Sequence, residues 1–260
     1  MAPTTASTSA ARSRRLRRSL AVAVLPLLSL AAACGADSAA TPTPGSDAPT
    51  VTAAAVVPVR DDHVTLVARP VTDTEVFAAP GDDAPTVVLA ARSEFGSPLA
   101  LVVVDDRTPG WLEVQLPIRP NGSTGWIRAD GVEQRSVTLA VHVDLAARRL
   151  VVTDEGRVVV DTPVAVGAGG TPTPTGTFFV VDKLETGRPD GPYGPFAFGL
   201  SAHSDVLTEF AGGDGQVGIH GTADPSSIGN PVSNGCVRVP NEVAVLLDEL
   251  LPLGTPVTVA

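Results

Sequence analysis

Gly218-Ile219-His220-Gly221-Thr222 and Val232-Ser233-Asn234-Gly235-Cys236-Val237-Arg238 are the two segments on which the reading of this chain turns. Cys236 is one of only two cysteines, and the other, Cys34, closes an apolar N-terminal run. In a chain built for export, a cysteine with no disulfide partner asks for another explanation. His220 precedes it by sixteen residues, across a loop rich in Gly, Ser, Pro and Asn that would let the imidazole return beside the sulfur. Thiol chemistry needs such a pair. Only the thiolate attacks, and a neighbouring imidazolium lowers a cysteine pKa from about 8.5 by several units.

Outward from these segments the chain reads as sheet. Beyond the cysteine, Pro240-Asn241-Glu242 opens the clearest helix, with Asn241 as its expected cap and Val243, Leu246, Leu247 and Leu250 on one face. Gly254 stops it, and Pro256–Val259 returns as a strand. Before the histidine, Val137–Val143, Arg149–Thr153, Arg157–Val166 and Thr177–Asp182 form a strand series. A polar, broken stretch from Gly187 to Pro195 follows, expected beside a cleft and carrying Tyr193. These pieces set one domain at 136–260. Ahead of it, 61–134 reads as a small all-β unit. Short apolar runs at His63–Ala68, Glu75–Ala78, Thr86–Ala91, Leu99–Val104, Trp111–Leu116 and Thr124–Arg128 are separated by Pro/Gly/Asn/Asp turns. Trp111 and Trp126 are expected to be packing residues there.

Residues 34–60 are Ala, Thr, Pro, Ser and Asp without periodicity and read as a disordered tether. Residues 1–33 carry Arg12, Arg14, Arg15, Arg17 and Arg18, then an apolar stretch from Leu20 to Leu30 and Ala31-Ala32-Ala33 before Cys34, the layout of an export signal. The whole chain has a net charge of −10, and loss of those five arginines leaves −15. Such acidity argues against nucleic acid as a partner. No His/Cys/Asp cluster has zinc-like spacing, so neither metal nor cofactor is expected.

Three resemblances sharpen this reading. The segment before Cys34 resembles a bacterial lipoprotein signal. That likeness implies lipidation of Cys34 and a membrane anchor on the outer face of the cell envelope, with secretion as the alternative. Gly110-Trp111-Leu112-Glu113-Val114 and Gly125-Trp126-Ile127-Arg128 look like the closing strands of a bacterial SH3-like barrel. Ile219-His220-Gly221-Thr222 with Ser233-Asn234-Gly235-Cys236-Val237-Arg238 is similar to the signature of the YkuD-type L,D-transpeptidases. Val143-Asp144-Leu145, Pro172-Thr173-Pro174-Thr175-Gly176-Thr177-Phe178 and Tyr193-Gly194 fall in supporting places.

Together the two domain likenesses imply a mostly β chain: an SH3-like barrel, then a YkuD-type β-sandwich with one or two short helices. The transpeptidase likeness further implies a cysteine acyltransferase acting on peptidoglycan stem peptides as a monomer, leaving a thioester that an amine resolves to a 3→3 crosslink. Release of the acyl group to water (an L,D-carboxypeptidase) and an inactive wall-binding lipoprotein are the alternatives. By the same likeness Cys236 is the nucleophile, His220 the base, and the Gly221 carbonyl the group that orients the ring. The backbone amides of Asn234, Gly235 and Cys236 form the oxyanion hole, with Gly235 admitting close approach. Arg238, Tyr193 and Ser233 are candidate substrate contacts, Arg238 alternatively an ion-pair former and Ser233 a turn residue.

Overall fold

In the computed structural model, residues 63–210 and 212–260 are described; the expected signal at 1–33, Cys34 and the tether at 34–60 lie outside the described residues. Valine-rich alternation separated by Gly and Pro turns yields seventeen strands among the described residues. The first seven are β1 (Thr65–Pro70), β2 (Thr74–Val76), β3 (Val87–Leu89), β4 (Leu101–Asp105), β5 (Trp111–Gln115), β6 (Thr124–Arg128) and β7 (Val132–Val137). They make a five-stranded sheet of order β6-β5-β4-β1-β7, plus the small β2–β3 hairpin. Val76, Leu101, Leu112, Val114 and Ile127 fill its core. Trp111 packs edge-on against Phe77 at 5.3 Å under the Arg128 guanidinium, a packing role as expected.

The expected series lacked β7, because Glu133, Gln134, Arg135 and Ser136 are polar and exposed. Six backbone pairings to β1 form it nonetheless, so this sheet runs through Val137, past the boundary expected at 134. Edge pairing satisfies backbone groups whatever the side chains are.

The remaining strands are β8 (Leu139–Asp144), β9 (Arg149–Asp154), β10 (Arg157–Pro163), β11 (Val166–Gly167), β12 (Gly176–Glu185), β13 (Phe196–His203), β14 (Gln216–His220), β15 (Pro231–Ser233), β16 (Val237–Arg238) and β17 (Pro256–Val259). Eight of them form one sheet of order β10-β9-β8-β17-β12-β13-β14-β16. The long strand β12 turns this sheet on itself. Its first half, Gly176 to Phe179, pairs with β17, and its second half, from Val180 on, pairs with β13 across a register shift between Val180 and Asp182. A bulge of this kind lets one strand serve two layers. Val141, Leu150 and Val152 from one layer meet Phe198, Leu200 and Ile219 from the other in a shared core.

Among the described residues one α-helix, α1 (Asn241–Leu250), and one 3₁₀ turn (Pro225–Ser227) complete the fold. The helix stands where expected, with two corrections. Its buried residues are Ala244 and Leu247, while Leu246 is 39% exposed, so the apolar stripe is narrower than the sequence suggested. Asn241 does not cap it; Pro240 holds the cap position with no side-chain bond, and Asn241 is used elsewhere.

Neighbouring phenylalanines on β12 tie the two sheets together. Phe178 is buried in the core of the eight-stranded sheet, whereas Phe179 joins the core of the five-stranded one. This follows from the period of two along a strand. Gln115 Nε2 donates to Thr177 O (2.7 Å), Arg119 Nη1 to Ser204 O (2.8 Å), and Asn121 exchanges two bonds with the His203 backbone (2.7 and 2.8 Å).

Candidate active site

Strands β14 and β16 lie side by side and parallel, with Ile219 opposite Val237 and His220 opposite Arg238. This register sets Cys236 beside Gly218. Because residues two apart share a face, the thiol and the imidazole emerge on the same side of the sheet, one step apart along it. Val217, Ile219 and Val237 face the core and fix that register, since a slip by one residue would bury the polar set. Both side chains line one cavity of about 530 Å³ together with Tyr193, Phe198, Gly199 and Gly218.

Gly218 has a duty that its place in the sequence motif does not disclose. Its N–H points at Cys236 Sγ (3.4 Å), and a Cβ there would come within 2.8 Å of the Phe198 carbonyl oxygen. Among the described residues this N–H is the hydrogen-bond partner that the sulfur has.

His220 is buried, and its Nδ1 lies 2.6 Å from Gly221 O. A carbonyl oxygen only accepts, so Nδ1 carries the proton and Nε2 keeps its lone pair. Tyr193, from the loop expected beside a cleft, meets the ring edge-on at 4.8 Å. Behind the ring the backbone is clamped. Gly194 and Gly221 approach so closely that a Cβ on either would strike Asn241 Oδ1 at 2.4 Å. That same oxygen accepts from Thr222 N (2.7 Å). Asn241 therefore anchors the segment carrying the Gly221 carbonyl, a duty hidden in the sequence behind its position at a helix start.

The loop before Cys236 is held from inside. Ser233 Oγ donates to Cys236 O (2.5 Å) and accepts from Gly235 N (3.1 Å). Ser233 is buried and closes the turn, so it does not present its hydroxyl to the cavity. The N–H of Gly235 is consequently engaged, and of the three amides expected to form an oxyanion hole, those of Asn234 and Cys236 are left without a partner among the described residues. Close approach is not why position 235 is glycine, since the nearest atom to a Cβ there would be 3.6 Å away; its φ of +118° is the reason. Arg238 makes no ion pair among the described residues, and its Nε is buried without a hydrogen-bond partner.

Charge at the site departs from the expected imidazolium–thiolate pair. Burial pushes the His220 pKa down to about 4, Gly221 opposing and Arg238 adding to the effect. Burial also raises the Cys236 pKa, against the lowering effects of the Gly218 N–H and Arg238. Desolvation penalises both charged forms, and the site rests as thiol and neutral imidazole. No group of three or more His, Cys, Asp or Glu residues able to hold a metal occurs among the described residues. His203 is buried, with Nε2 3.0 Å from Asp214 Oδ2.

Comparison with known proteins gives this geometry a family. The family model YkuD, the L,D-transpeptidase catalytic domain, matches residues 139–259. YkuD of Bacillus subtilis is 35% identical over 119 residues, covering 46% of this chain and 64% of that protein. YkuD of Bacillus licheniformis is 35% identical over 124 residues, covering 48% of this chain and 67% of its own length. The chain thus spans about two thirds of the length of these curated relatives. Among solved structures, an Enterococcus faecium L,D-transpeptidase aligns at 27% identity over 47% of this chain and 49% of that one, with a TM-score of 0.37. The chain belongs to the YkuD family, and its L,D-transpeptidase catalytic domain is the curled, eight-stranded sheet that carries Cys236 and His220.

Proposed function

We propose that this chain is a cysteine-dependent acyltransferase that crosslinks peptidoglycan stem peptides through a thioester on Cys236. One observation carries the reading: a thiol and an imidazole with its Nε2 lone pair free share one face of neighbouring strands and line one cavity. The neutral resting pair defines the first step. As Sγ attacks the scissile carbonyl carbon, its proton moves to His220 Nε2, so thiolate exists only while the S–C bond forms. The developing oxyanion is met by the N–H groups of Asn234 and Cys236, a donor of this kind being worth about 3–4 kcal/mol. The Gly221 carbonyl steadies the imidazolium through Nδ1.

Collapse of the tetrahedral intermediate breaks the C–N bond, and the leaving amine of D-Ala takes the proton from Nε2. The side-chain amine of a second stem then attacks the thioester, passing its proton through the same nitrogen to the departing sulfur. A 3→3 crosslink results. Arg238 is suited to a substrate carboxylate, having no anionic partner of its own among the described residues. We further read the five-stranded sheet, through Val137, as an SH3-like module, 1–33 as an export signal and Cys34 as a lipidation site, which would hold the enzyme at the outer face of the plasma membrane.

Incubation of the purified chain with disaccharide tetrapeptides tests this reading by mass spectrometry. Crosslinked dimers and a Cys236 acyl adduct, both lost in Cys236→Ala, are the expected result. Tripeptide without dimer would replace transfer by hydrolysis, and an unmodified Cys236 would refute the acyl-enzyme.

A further inference from the structure

The cavity containing Cys236 is not walled by the catalytic sheet alone. Glu94 and Phe95, from the turn between β3 and β4 in the five-stranded sheet, line it as well. That turn is fixed at both ends. Gly96 N bonds Ser93 O (3.0 Å), Ser93 N bonds Ser97 O (2.9 Å), and Arg92 Nη1 bonds Gly96 O (2.7 Å). It is then tied across to β12, where Ser93 Oγ donates to Asp182 Oδ1 (2.5 Å) and Lys183 N to Ser97 Oγ (3.4 Å). Phe95 stands at its tip, 52% exposed.

Exposed apolar residues scattered singly need no explanation, but here the aromatic ones are not scattered. Among the described residues the exposed aromatic side chains are Phe95, Phe210 (41%) and Tyr193 (40%), and all three line this one cavity. Apart from Cys236 and Tyr193, its ionisable lining is Glu94, Asp182, Glu185, Asp214 and neutral His220, with no lysine or arginine. Asp182 and Asp214 are engaged by Ser93 and His203, whereas the carboxylates of Glu94 and Glu185 are exposed and form no hydrogen bond or ion pair among the described residues.

We propose that the Ser93–Ser97 turn of the N-terminal module is part of the substrate site, Phe95 forming an apolar shelf for an extended peptide and Glu94, with Glu185, receiving a cationic amine side chain. This rests on the peptide-acyltransferase reading and deepens it by making the N-terminal module a contributor to substrate recognition. The chemistry follows from the lining. Half-exposed rings give contact area at small entropic cost, and uncompensated carboxylates at a partly apolar groove attract an ammonium more strongly than bulk water permits.

The test uses the full chain with Phe95→Ala and Glu94→Gln, neither of which touches the thiol or the imidazole. Turnover of an amine-bearing stem tetrapeptide should show KM raised about five-fold or more in each variant, kcat within about two-fold of the parent, and an unchanged rate of Cys236 alkylation by iodoacetamide. On the Cys236→Ala background, acetylation of the peptide amine should abolish the effect of Glu94→Gln on binding but not that of Phe95→Ala. Parallel calorimetry on the Cys236→Ala background reads peptide binding without any turnover. Wild-type-like KM and binding in both variants would overturn the proposal, as would absence of peptide binding to Cys236→Ala. Peptide that binds in a Phe95-dependent way but is never acylated would instead sustain the subsite and refute the acyltransferase reading.

Discussion

The buried neutral state of His220 makes stability depend on pH in a calculable way. In the unfolded chain a histidine binds its proton near pH 6.5, whereas in the folded site burial holds that event down to about 4. Between those values the unfolded state binds more protons, so stability rises with pH there. The contribution is complete above pH 6.5 and is lost as pH falls toward 4. At 1.36 kcal/mol per pKa unit, moving from pH 7.5 to 4.5 should remove roughly 2.5 kcal/mol through this residue alone. Carboxylates titrate in part of the same range, so the informative quantity is a difference. His220→Gln keeps an N–H donor for Gly221 O and adds no charge. Urea unfolding of both proteins at pH 7.5 and 4.5 should show the parent losing about 2.5 kcal/mol more than the variant, a midpoint difference of about 1 M. Equal losses would mean that His220 is not held neutral by burial, and the attack step with concerted proton transfer would lose its basis.

Because burial raises the Cys236 pKa, iodoacetamide alkylation of the free enzyme should be slow at neutral pH and keep accelerating above pH 9; a plateau already reached below pH 7 would show a preformed ion pair. Asn241→Ala removes the acceptor of Thr222 N and should cost about 1 kcal/mol of stability with a larger loss in kcat than in KM, while Asn241→Asp, which keeps an acceptor oxygen, should recover most of the stability. Equal kcat in parent and Asn241→Ala would remove Asn241 as a positioning residue. Phe179→Ala should destabilise by about 3–5 kcal/mol. Trp111 and Trp126 both lie in the five-stranded sheet, so tryptophan fluorescence should report that loss although the substituted residue belongs to the catalytic sheet. A fluorescence transition unmoved by Phe179→Ala would show that the two sheets fold independently.

Local rules made much of this protein legible without coordinates. Alternating valines and Gly/Pro turns placed most strands, since the period of two and turn chemistry are short-range properties. His220 and Cys236 stood out because few residue types carry nucleophilic chemistry and this chain has few of either. Strand β7 escaped because its side chains are polar and only backbone pairing holds it. The charge state of the pair was likewise beyond reach: sequence proximity says nothing of desolvation, and burial reversed the expected imidazolium–thiolate ion pair. Asn241 looked like a helix cap, yet the approach of Gly194 to Gly221 turned its oxygen toward Thr222. Phe95 lies 141 residues before Cys236, and only the docking of one sheet on the other through Phe179, Ser93 and Asp182 brings them to one cavity. Residue chemistry and local backbone preference reside in the chain itself; solvent exclusion and long-range juxtaposition arise only when distant segments pack.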